Sequence, residues 1–150
     1  MTSSDVADLI AALKDEDDTV RFDAAFALGE IGSGAEEAVP ALSQSLKDKD
    51  KRVRLEAAFA LGRIGPAAKD SVPCLVEALK DPDNLVRKDV ANALGKIGLA
   101  AKDAVPALIE CFEEKDFQFR LRVALALKAI DREAAAKAGV DVSIIDKKPS

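Results

Sequence analysis

The 150-residue chain has no histidine, no tyrosine and no tryptophan. Without histidine there is no imidazole general base, no Ser–His–Asp or Cys–His nucleophile, and almost no route to a zinc or non-haem iron site. Without tyrosine and tryptophan, two further proton donors are gone. So are the best stacking platforms for single-stranded nucleic acid. Only two cysteines are present, Cys74 and Cys111. They are expected to be reduced, buried and small rather than redox-active. No apolar run reaches the roughly 20 residues of a membrane span, so no membrane partner is expected. The N-terminus, MTSSDVADLI, lacks the basic start and apolar stretch of a secretory signal, which with the initiator methionine points to the cytoplasm. A net charge of −5 disfavours a general nucleic-acid binder, whose affinity comes from neutralising phosphates. The basic cluster KDKDKRVR, residues 47–54, alternates with aspartates and reads as a solvated turn.

What the chain does have is repetition. RFDAAFALGEIG at residues 21–32 returns 33 residues later as RLEAAFALGRIG, then as RKDVANALGKIG, then, without its glycines, as RLRVALALKAID. Val6, Val39, Val72 and Val105 open four units of that period, and Arg21, Arg54, Arg87 and Arg120 mark their middles. A fixed period between 20 and 50 residues is the signature of a solenoid or array.

One unit reads as two antiparallel helices. Val39, Leu42 and Leu46 recur at helical spacing, and Pro40 suits the first helical position. Asp17, Asp50, Asp83 and Asp116 stand where a second helix needs an N-cap, because a carboxylate accepts from free backbone N–H groups. Val20, Ala24, Ala27, Leu28 and Ile31, like Val53, Ala57, Ala60, Leu61 and Ile64, form one apolar face. Gly32, Gly65 and Gly98 follow as stops. The expected pairs are 5–14/18–31, 39–47/51–64, 72–80/84–97 and 105–113/117–130, with no sheet. The alanines, with Gly29, Gly62 and Gly95, let neighbouring helices approach closely. One pair cannot bury its own apolar face, whereas stacked pairs can.

These residues name a family. DEDDTVR, DKDKRVR, DPDNLVR and EKDFQFR, each followed by a variant of A-x-A-L-G-x-I-G, resemble HEAT repeats, and among them the short HEAT-like repeats of phycobilisome lyases. The resemblance spans about residues 5–137 and implies an all-α solenoid of four two-helix repeats with a C-terminal capping segment. Its units are 6–38, 39–71, 72–104 and 105–137, within a repeat domain 1–139 followed by a tail, 140–150. The family's Asp–Arg ladder maps onto Asp15/Arg21, Asp48/Arg54 and Asp81/Arg87, with Glu114/Arg120 as a variant. Each Arg is placed to donate to its own unit's carboxylate and to the neighbour's. The role expected of the ladder is to fix the stacking, not to catalyse. The iron-binding HEAT-like enzyme deoxyhypusine hydroxylase is excluded, since no His–Glu pair matches.

Two near misses fail on their residues. A calcium loop starting at Asp15 needs Gly at position six and Glu at position twelve, where Val20 and Phe26 stand. GEIGSG follows a helix rather than a strand and is not a dinucleotide loop. No cofactor, metal or catalytic residue is therefore expected.

The candidate partner surface lies opposite the core on the second helices, at about 100° per residue. It comprises Phe22 and Phe26, then Leu55 and Phe59, then Lys88 and Asn92, with Leu121 and Leu125 expected under the terminal segment. Resemblance to HEAT proteins puts these helices on the concave side, rimmed by Asp23, Glu30, Glu56, Arg63, Asp89 and Lys96. Two readings stay open: an exposed interaction groove, or side chains packed on one another and on adjacent helices. The expectation is a non-enzymatic adaptor, scaffold or assembly subunit that binds another protein. Self-association through the tail is compatible with it. The alternative is a bilin lyase component or lyase-associated chaperone, with Arg63 and Asp89 as the groove's best chromophore contacts.

Overall fold

The computed structural model describes residues 3–140. It contains four helix pairs: α1 (Ser3–Ala12) with α2 (Asp18–Ile31), α3 (Val39–Ser45) with α4 (Lys51–Ile64), α5 (Val72–Ala78) with α6 (Asn84–Ile97), and α7 (Val105–Glu110) with α8 (Phe117–Lys137). No strand occurs among the described residues. The tail's capping or self-association, expected over residues 140–150, falls beyond Val140 and outside the described residues.

The second helices start where the aspartates stand. Asp17 accepts from the Thr19 N–H at 2.8 Å, and Asp50 from the Arg52 N–H at 2.8 Å. Asp83 accepts from Leu85 and Val86, and Asp116 from Gln118 and Phe119. Each cap satisfies orphan donors of a first turn. Three of these helices stop at Gly32, Gly65 and Gly98, with φ of 66°, 78° and 71° and ψ near −130° to −140°. Side chains are all but excluded from that backbone region. Short 3-10 segments, Gly32–Ala38, Gly65–Ser71 and Gly98–Ala104, then lead to the next pair, whose first turn carries proline.

The fourth unit breaks differently. Asp131 stands where glycine did, in an extended conformation (φ −158°, ψ 88°), and its carboxylate accepts from the Ala134 N–H at 2.9 Å. The helix is thereby interrupted and recapped, so α8 runs seven residues past the expected end at residue 130. Conversely α3, α5 and α7 stop two or three residues early.

The even-numbered helices pack against one another along the stack, whereas successive odd-numbered helices barely touch. A two-layer ribbon whose even layer is the more tightly spaced bends toward that layer, which makes α2, α4, α6 and α8 the inner face. The glycines permit the spacing. A Cβ on Gly62 would stand 3.1 Å from the Ala93 Cα, and one on Gly95 3.1 Å from the Ala126 Cα.

The core follows the expected face in the inner units, where Val53, Ala57, Ala60, Leu61 and Ile64 are buried. The first unit departs from it. Val20 is 36% exposed, although its counterparts Val53, Val86 and Phe119 are buried between units. Ala27 and Ile31 are likewise only half-buried. The reason is positional: no described unit precedes α2 to cover that side. The cysteines are also half-buried rather than buried, and both are free.

Candidate protein-interaction face

The ladder ties the units together by the neighbour half of the expected pairing, while the own-unit carboxylate is not used. Arg21 donates from Nε to Asp48 at 2.8 Å and from Nη2 at 3.1 Å, reaching the next unit's carboxylate. To its own unit it gives Nη1, which meets the backbone carbonyls of Asp15 and Glu16 at 2.8 and 3.0 Å. Arg54 repeats this with Asp81 and the carbonyl of Asp48. The own-unit carboxylate is already engaged: Asp48 accepts from the Asp50 N–H and Asp81 from the Asp83 N–H, both at 2.9 Å, closing the turn that sets up the N-cap. Each aspartate therefore orders its own turn and anchors the previous unit's arginine.

The third junction is incomplete. Arg87 reaches the Asp81 carbonyl at 2.9 Å and the Asn84 side chain at 2.8 Å, and lies 5.4 Å over the Phe119 ring. Its Nε is buried and has no partner among the described residues. Glu114 replaces the aspartate here, and its longer side chain neither closes the turn nor meets Arg87. A hydrogen bond from Asn84 to Asp116 bridges the two units instead.

The inner face presents the sequence-predicted strip unevenly. Phe26 is 48% and Phe59 39% exposed. Phe22 is half-buried and stacks on Phe26 with ring centroids 6.5 Å apart. Leu55 is half-buried against the core. Lys88 and Asn92 are half-buried. Leu125 is 37% exposed and Leu121 half-buried, and the cover expected from the terminal segment falls outside the described residues. Phe22 and Leu55 are packed, whereas Phe26 and Phe59 keep free ring surface.

Charges frame these rings. Lys96 sits 5.5 Å from the centroid of Phe59, and the Arg52 guanidinium 5.6 Å from that of Phe22. Such cation–ring contacts favour a fixed orientation. Helix-wheel reasoning missed them because they join different units. Arg63 donates to the Gly29 carbonyl at 3.4 Å. Burial pushes the Glu56 carboxyl above its ordinary range, and the negative charges of Asp89 and Glu30 push it further. Burial raises Asp89 too, against the pull of Arg122, Lys96 and Asn92. Glu56 is thus a partly desolvated carboxylate with acidic neighbours and, among the described residues, no ion pair of its own.

Burial, with Glu114 and Glu110, lifts the Cys111 thiol to about 11, the opposite of an activated nucleophile. Among the described residues no three acidic or cysteine side chains cluster as metal ligands. No helix there is long and apolar enough to cross a membrane.

Comparison with known proteins agrees with this geometry. The family description "HEAT repeats" matches residues 6–69 and 42–128. The structure of the CpcE–CpcF complex of phycocyanin lyase from Nostoc sp. shares 30% identity over 89% of this chain and 56% of the matched chain, with a TM-score of 0.77. An engineered protein shares 29% identity over 95% of this chain and 69% of its own, with a TM-score of 0.72. A designed armadillo repeat protein, solved in complex with a (KR)4 peptide, is 18% identical over 95% of this chain and 74% of its own (TM-score 0.72) and shares the fold alone. No curated protein matches in sequence. With the matched segments extending over most of the chain and four helix pairs stacked in register, the chain belongs to the HEAT-repeat family.

Proposed function

We propose that this chain is a non-enzymatic interaction module, an adaptor or assembly subunit that holds another protein on its inner face. The observation that supports this reading is the strip of Phe26 and Phe59. Two half-exposed aromatic rings lie on neighbouring inner helices, and α4 also carries Glu56, a partly desolvated carboxylate with no ion pair among the described residues. A partner segment that brings apolar side chains to the rings and a cation to Glu56 would relieve both exposures. The ladder and caps hold the face rigid before binding, so little ordering is needed on association. The test is the double variant Phe26→Asp/Phe59→Asp. It should keep its helix content and melting temperature while losing its binding partner, first identified by co-purification and then measured with the purified protein. Unfolding of the variant, or unchanged affinity, would remove the strip from the account.

A second reading rests on the likeness to the phycocyanin lyase complex. In it the chain is a lyase component or lyase-associated chaperone, with Arg63 and Asp89 meeting the propionates and pyrrole nitrogens of a bilin. A shift in pigment absorbance on mixing with bilin would support it. An unchanged spectrum would leave protein binding alone.

A further inference from the structure

Charge on the inner face is sorted along the stack. On α2, Arg21 is spent on the ladder, and the other ionised side chains are Asp18, Asp23 and Glu30. Asp23 and Glu30 are exposed and make no ion pair among the described residues. Glu56 on α4 belongs to this end, since Glu30 is one of the like charges that raise its carboxyl. The exposed α4 cations are engaged. Arg52 lies 2.8 Å from Asp50 and 3.8 Å from Asp18, and Arg63 donates to the Gly29 carbonyl.

Toward the fourth unit the sign reverses. Lys96 on α6 holds the position of Glu30, and Arg122 on α8 that of Asp23. Between them lies a shallow pocket of about 440 Å³, whose lining includes Asn92, Gly95, Lys96, Arg122 and Leu125 and no carboxylate. Asp89 feels both cations, which leaves one negative charge against two positive ones.

Apolar surface joins the two ends. Phe26, Phe59 and Leu125 occupy one repeat position, with Asn92 between them, and are 48%, 39% and 37% exposed. That position stands three residues after the column of Asp23 and Arg122 and four before the column of Glu30 and Lys96, on the helix face that both share. From α2 to α8 there are three interhelix steps of about 8–10 Å each, a span that about eight extended residues cover.

Charge decides what kind of occupant fits. A uniformly cationic segment would meet Lys96 and Arg122. A polyanion, nucleic acid or anionic membrane, would meet Asp23, Glu30 and Glu56. A second copy of this chain matches in charge when inverted, but two concave faces touch only at their rims.

We propose, resting on the inner-face reading above, that the occupant is a protruding, extended segment of another protein with its charges separated. Its cations lie over Asp23, Glu30 and Glu56, its apolar side chains run along Phe26, Phe59 and Leu125, and its carboxylate enters the pocket between Lys96 and Arg122. The face then selects charge order as well as apolarity.

A phage-displayed library of random dodecapeptides, panned on the purified full chain at low ionic strength, tests this. Enriched peptides should carry Lys or Arg toward one end, Asp or Glu toward the other, and apolar residues between. On the variant Lys96→Glu/Arg122→Glu, changed only at exposed positions, the same library should yield peptides basic at both ends. The best peptide selected on the parent should bind that variant at least about tenfold more weakly. Peptides without charge order that still lose binding on Phe26→Asp/Phe59→Asp would overturn the proposal and leave the inner-face reading standing. Peptides indifferent to that double variant would remove both. Absence of enrichment would overturn the proposal. So would a dimer in sedimentation equilibrium that Lys96→Glu/Arg122→Glu dissociates, which would give the face to a second copy.

Discussion

Arg54 donates to Asp81 at 2.8 and 3.3 Å, and these two residues belong to different repeats. The pair is largely shielded, with side-chain exposures of 14% and 6%. Arg54→Ala removes these bonds and the one to the Asp48 carbonyl, leaving a shielded carboxylate short of its partner. The expected loss is about 2 kcal/mol of unfolding free energy. Arg63→Ala, at an exposed position with a single long bond, should change stability by no more than about 0.5 kcal/mol. Urea denaturation of both variants checks the difference. Equal midpoints would remove the ladder from the account of stability.

The broken rung makes a converse prediction. Glu114→Asp restores the side-chain length that closes the turn in the preceding units and brings a carboxylate to the buried Nε of Arg87. An unsatisfied buried donor typically costs about 1–3 kcal/mol, so a gain of about 1 kcal/mol is expected. A variant that melts lower than the parent would show that Phe119 and Asn84 already hold Arg87 in its best arrangement.

Gly62→Ala sets helix propensity against packing. Alanine is favoured over glycine inside a helix by about 1 kcal/mol. Here the added carbon meets the Ala93 backbone at 3.1 Å, and overpacking of that kind costs about 1–3 kcal/mol. Net destabilisation is expected. Gly29→Ala should be milder, because its nearest neighbour, at 3.3 Å, is the edge of the half-exposed Phe59 ring, which can turn aside. Thermal melts of the two variants give the comparison.

The unit was legible in the sequence because its determinants are local. An aspartate cap, a stop glycine and a 3.6-residue apolar period each act within a few residues, and each is written several times. The ladder's residues were legible, and so was the neighbour half of its pairing, but not the own-unit half. Arg21 reaches Asp48 of the next unit with its side chain and meets only the backbone carbonyls of Asp15 and Glu16 in its own, a division that only the stacked geometry makes. Val20 is the counterpart of Val53 and Val86 but has no described unit before it, and no helical wheel displays that difference. The strip's positions followed from the wheel. The seating of Lys96 over Phe59 and of Arg52 over Phe22 depends on how far one unit is displaced from the next, which the period alone does not specify.

The inner-face acids predict a pH dependence of definite sign. Glu56 has a raised carboxyl pKa when folded, so the folded state holds its proton more tightly than the unfolded chain does. Its ionisation then weighs against folding. That penalty is absent below the unfolded value of about 4.3 and complete above the folded one. Glu56→Gln should therefore melt higher than the parent at pH 7, with the difference vanishing below about pH 4. Asp50 acts oppositely. The Arg52 side chain and N–H lower it to about 2, so its stabilisation is present above about pH 4 and fades toward pH 2. A Gln variant that melts lower at pH 7, or by a pH-independent amount, would contradict the desolvated, unpaired state assigned to Glu56.

The central claim is that the repeated residues stack and the unrepeated ones on the inner helices recognise. Placing a photo-crosslinking phenylalanine analogue at Phe59 tests it most directly, with the same analogue at Pro106 on the outer helices as the comparison. Both sites are solvent-exposed, so both report contact without disturbing the core. The account predicts that irradiation in cells links one distinct protein to position 59 and leaves position 106 unlinked. Adducts at position 106 alone would place recognition on the outer helices and contradict the account.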